Sequence, residues 1–211
     1  MSSYEYFFSS LALLRQDVPT YLKRALLEGY ISSAGMGSES IVQASRLALY
    51  NSLDELPLES NKQGSCLFEI GNTISEILRA NLTNDRVSLP LLEVIAFTLD
   101  ADILQRLART PFKWRTFLSL VQKAHYKSNN MQKLHFVLDV YRGLADVPTI
   151  RADVLAKVSS MLLHPFPKIR SAAAETLYVV SACEELTLHD WAQPTTKLKE
   201  AAAAIKRANI G

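Results

Sequence analysis

Four stretches of this chain carry apolar or small residues at offsets of three, four, seven and eight, and the stretches recur at similar intervals. The first runs Ile41, Ala44, Ser45, Ala48, Leu49, and the second Leu92, Ile95, Ala96, Leu99. The third has Leu134, Val137, Leu138 and Tyr141, and the fourth Ile169, Ala172, Ala173, Thr176, Leu177 and Val180. Such spacing places one apolar stripe on one face of a helix. Entered at positions 41, 87, 131 and 169, the runs are 46, 44 and 38 residues apart. That is the period of HEAT or armadillo helix pairs. A partner helix fits ahead of each run, at 21–34, 67–80, 112–126 and 149–163. A single pair has nowhere to bury its stripe, so pairs stack and share a core. The expected fold is all-α, an α-solenoid of stacked HEAT/armadillo-like helix pairs.

The punctuation agrees with helices. Pro19, Pro111 and Pro167 each stand just ahead of a periodic run, where a missing N–H costs nothing. Gly35 reads as a left-handed helix stop, and Thr110 and Thr149 as N-caps. No Asn-Gly or Asp-Gly hairpin turn interrupts the pattern. Residues 1–185 are expected to form one repeat domain. Residues 186–211, alanine-rich with Lys197, Lys199, Lys206 and Arg207, are expected to form a terminal helical extension packed on the last repeat. The opening Tyr4, Tyr6, Phe7, Phe8, Leu11, Leu13 and Leu14 lack a polar cap, the pattern of a piece taken from a longer array.

Charge and motifs narrow the function classes. Lys and Arg number 23 against 21 Asp and Glu, which argues against a phosphate-binding nucleic-acid module. No apolar run approaches the roughly 20 residues of a membrane span. Cys66 and Cys183 are too few for a disulfide framework. His125, His135, His164 and His189 fit no HExxH or His/Cys metal spacing, and GxSxG, P-loop and GxGxxG motifs are absent. His125 reads as a buried structural histidine, and Trp114, Tyr126 and Phe136 as core aromatics. No cofactor or metal is expected, and the chain reads as a non-enzyme. A deep pocket joining His125 or His135 to carboxylates would be needed to revive catalysis.

What remains are charges at expected turns. Asp85 and Arg86, beside the capping Asn84, and Lys168, just before a stripe begins, are the candidate partner-binding residues. Arg170 is expected to ladder to an acid of a neighbouring repeat. His164-Pro165-Phe166-Pro167 is expected to be a rigid elbow setting a helix crossing angle.

Three segments carry a resemblance: EGYISSAGMGSES at 28–40, NLTNDRVSLPLL at 81–92 and LHPFPKIR at 163–170. In this order and spacing the chain resembles the C-terminal region of tubulin-folding cofactor D, over about 4–180. The resemblance implies a cytoplasmic, microtubule-associated tubulin chaperone of HEAT or armadillo-like repeats. It implies binding to β-tubulin during α/β-heterodimer assembly, together with cofactors E and C and an Arf-like small GTPase. It also implies that the assembly promotes GTP hydrolysis; the charge balance and the short apolar runs, for their part, lead to the expectation of no nucleic-acid and no membrane partner. The alternative is a generic HEAT-repeat adaptor or scaffold with another protein partner.

Overall fold

The computed structural model describes residues 6, 9–34, 39–59 and 66–210. The expected stop at Gly35, the turn through 35–38, and Tyr4, Phe7 and Phe8 lie outside the described residues. Among those described the chain is all-α, built of helix pairs of the helical-repeat kind, with no strand. The helices are α1 (Thr20–Ala34), α2 (Glu39–Asp54), α3 (Leu67–Ala80), α4 (Asp85–Asp100), α5 (Trp114–Ala124), α6 (Met131–Leu144), α7 (Arg151–Met161), α8 (Pro167–Ser181) and α9 (Thr195–Ile210). Short 3-10 turns occupy Leu11–Arg15, Leu104–Arg109 and Glu184–Leu188. Contacts divide the chain into two compact units, Met1–Ala124 and His125–Gly211.

In the first unit α1 packs on α2, α3 and α4, while α3 also meets α5 and the Leu104–Arg109 turn. The stripe of α3, Leu67, Ile70, Ile74, Ile77 and Leu78, is wholly buried. Each such side chain is worth about 2 kcal/mol when removed from water. Gly71 sits on that face because nothing larger fits. A Cβ there would lie 2.6 Å from Leu107 Cδ1 and 3.1 Å from Phe112 Cε2. Both of those side chains are themselves buried.

Ion pairs cross this unit one repeat apart. Lys23 of α1 reaches Glu69 of α3 at 2.6 Å, 46 residues away. Arg46 of α2 pairs with Glu93 of α4, 47 residues away. These are the ladder-like contacts that sequence reasoning assigned to Arg170.

In the second unit α8 packs on α6 and α7, and α9 packs on α7. Arg170, only 3% exposed, donates to backbone carbonyls and not to the expected acid. Its Nη1 donates to the His164 and Pro165 carbonyls at 2.8 and 3.1 Å. Nε donates to Trp191 O at 2.9 Å, and Nη2 to Ala192 and Gln193 carbonyls. The expected acid ladder is thus replaced by a fork that ties the elbow before α8 to the loop before α9. A guanidinium suits this because it presents five donors in one plane. Arg151 does the same at helix ends, donating to Ala145 O and Val180 O at 2.6 Å each. Arg106 does so in the first unit, reaching Asp54 O and Leu56 O at 2.6 Å. Helix C-termini leave carbonyls without intrahelical donors, and these arginines supply them.

Two expected caps are corrected. Thr110 closes the turn before it, its hydroxyl donating to Leu107 O at 2.8 Å, and α5 starts later. Ile150, not Thr149, is the residue that caps α7. Pro167 does stand at the start of α8, with Phe166 extended before it, as a residue preceding proline must be.

His125 is buried, and its Nε2 lies 2.7 Å from the Tyr141 hydroxyl. Burial holds the phenol protonated and the imidazole neutral, so the hydrogen bond joins two uncharged groups. Burial pushes His125 down to about 4, and Lys157, His164 and Lys133 act in the same direction.

Three outcomes follow for stability. Arg170→Met, measured by urea unfolding, should lose about 3 kcal/mol, because several carbonyls lose their donor together; Arg170→Lys should recover only a minor part. Gly71→Ala should destabilise by about 1 kcal/mol despite alanine's better helix propensity, and adding Leu107→Ala should cost less than the sum of the two single changes. The folded His125 value lies below the unfolded one, so its contribution is complete above about pH 6.5 and lost as pH falls towards 4. Between pH 7 and 4.5 the wild type should therefore lose about 2–3 kcal/mol more than a His125→Phe/Tyr141→Phe double variant.

Candidate interaction surface

The three candidate contact residues lie within first helical turns, not in the turns where they were expected. Asp85 is the first residue of α4 and Arg86 the second, both exposed. Asn84 caps this helix through its backbone carbonyl, which accepts from Val87 and Ser88, while its side chain makes no cap bond. The side-chain amide of Asn84 turns back to Asn81 Oδ1 at 3.3 Å. A carboxylate at Asp85 suits the positive end of the helix dipole.

Pro90 lies inside α4. It carries no N–H to return to the carbonyl four residues earlier, and that carbonyl belongs to Arg86. The start of α4 therefore presents an acid, a guanidinium and a backbone oxygen lacking its helical donor on one turn.

Lys168 is the second residue of α8 and is exposed. It belongs to the second unit, whereas Asp85 and Arg86 belong to the first. The elbow beneath it is fixed from within. Phe166 N–H donates to His164 Nδ1 at 3.2 Å, and the two rings stack obliquely at 5.3 Å. Burial, then Arg170 and Lys157, lower His164, in keeping with an imidazole that accepts from a backbone amide.

The histidines do not assemble a catalytic constellation. The charges acting on His125 are cationic, and His135 is exposed on α6. Among the described residues no three His, Cys, Asp or Glu side chains group as a metal site. A cavity of about 10 Å³, room for one water, lies beside Tyr30, Ser45, Arg46 and Glu93. Burial raises the Tyr30 phenol, opposed by its hydrogen bond with Ser45 and by Arg46. This cluster orients helices and has no room for a substrate. No helix among the described residues is long and apolar enough to cross a membrane.

Of the aromatics expected in the core, Trp114 is buried, Phe136 is partly so, and Tyr126 is exposed. Tyr126 instead holds Lys127 Nζ over its ring at 5.3 Å. Sequence reasoning missed the pairs Lys23–Glu69 and Arg46–Glu93. Their separations of 46 and 47 residues match the repeat step, which was the available signal.

No solved structure matches the chain. The family described as tubulin folding cofactor D C terminal matches residues 2–133, more than half of the 211. That span takes in the described first unit and reaches the first turn of α6. The chain belongs to the tubulin folding cofactor D C-terminal family.

Proposed function

We propose that this chain is a tubulin-folding chaperone segment, cytoplasmic and microtubule-associated, that binds β-tubulin while the α/β-heterodimer is assembled. In this reading it works beside cofactors E and C and an Arf-like small GTPase, and contributes to GTPase activation by the assembly without itself being an enzyme. The family match over residues 2–133 carries the reading. The helical-repeat architecture supports it, because paired helices offer turns and helix starts to a large folded partner. Asp85, Arg86 and Lys168 are the proposed contacts, on the ground that each is exposed within a first helical turn. An adaptor role with a different protein partner is the second reading. It draws on residues from 134 onward, which lie outside the family match.

The test is a pull-down of the purified chain with native tubulin and, separately, with an Arf-like GTPase in each nucleotide state. Binding is expected to β-tubulin. An Asp85→Arg/Arg86→Glu/Lys168→Glu variant should weaken it about tenfold, since reversed charges at an interface cost more than lost ones. Its melting temperature should stay within a few degrees, because all three side chains are exposed. Unchanged tubulin binding in that variant would remove the three residues. Binding to neither partner would favour the adaptor reading.

A further inference from the structure

The first unit carries a groove of about 390 Å³ where α3 faces the 111–117 segment leading into α5. That volume suits a few side chains of a bound peptide. Its floor is aromatic. Phe68, half-buried, stands edge-on to Phe112 with centroids 6.5 Å apart, and Phe117 packs against Phe112 at 5.7 Å. Asn72 lines the wall with a side-chain amide, a group that bonds extended backbone.

The rim holds two cations, Arg79 and Lys113, against one acid, Glu76, all exposed. Among the described residues none of the three enters an ion pair. Several other basic side chains of this unit are engaged: Arg15 with Glu55, Lys23 with Glu69, Arg24 with Glu28, Arg46 with Glu93, and Arg106 with two carbonyls. Arg79 and Lys113 thus leave a net positive rim over an apolar floor.

We propose that this groove docks an acidic peptide segment of a protein partner, which seats one aromatic or large aliphatic side chain on the half-buried Phe68 ring and sets carboxylates against Arg79 and Lys113. The proposal stands on the groove alone and does not depend on which partner the rest of the chain binds.

Fluorescence anisotropy of the full chain with a fluorescein-labelled Gly-Glu-Glu-Phe-Glu-Glu-Gly peptide tests it, the same peptide with Lys for Glu being the control. The acidic peptide should bind, more weakly as salt rises, and the basic one should not. Arg79→Glu/Lys113→Glu should weaken binding about tenfold, and Glu76→Gln should strengthen it about twofold. The opposite signs separate a charge effect from a folding defect, and circular dichroism should show both variants folded. Equal affinity in the double reversal would overturn the proposal. So would absence of binding up to about 1 mM peptide. Displacement by a single-stranded oligonucleotide as readily as by unlabelled peptide would overturn the assignment to a protein segment.

Discussion

Each helix here is short and carries one apolar stripe, and a stripe exposed to water holds no helix of this length in place. Burial between neighbours is therefore the constraint on which everything else rests. It explains why α3 meets α1 and α5 in the first unit and why α7 meets α9 in the second. First helices starting at residues 20, 67 and 114 follow at steps of 47, and those at 151 and 195 at a step of 44. By this register α9 takes the place on α7 that a further repeat's first helix would take.

Stacking by apolar stripes alone fixes which faces meet but leaves helix ends unsatisfied. Guanidinium forks meet that need in both units. Arg106 ties off the end of α2, Arg151 joins the ends of α6 and α8, and Arg170 gathers carbonyls from both sides of its own helix. Arg170 is stable in its buried position because its donors all face carbonyl dipoles, with the backbone in place of a carboxylate.

Fold class and helix positions were legible because period and stripe are written in side-chain type. The expected 67–80 helix coincides with α3, and the starts of the other helices in the four expected pairs fall within two residues of observation. Caps were less legible. Thr110, Thr149 and Asn84 have cap-forming side chains, but neighbouring backbone or side-chain groups decide whether those side chains are used. Arg170 was misread for a related reason: sequence shows a charge and not the carbonyls folded around it. The paired charges one repeat apart were within reach, since the same period that places helices places their ladders. The groove beside Phe112 was out of reach, because it depends on how closely Gly71 lets the Leu107 and Phe112 side chains approach α3.

The reach of these polar ties differs between the units. Arg170 finds all its carbonyls within 23 residues of itself, whereas Arg106, Arg46 and Lys23 reach across 46 to 52. Closing a loop costs about 0.6 kcal/mol more for each doubling of its length, and rates of folding fall as contacts become less local. The segment holding the fork can close upon itself soon after it leaves the ribosome. The first unit must keep more than forty residues of chain in play before its ladders find their rungs.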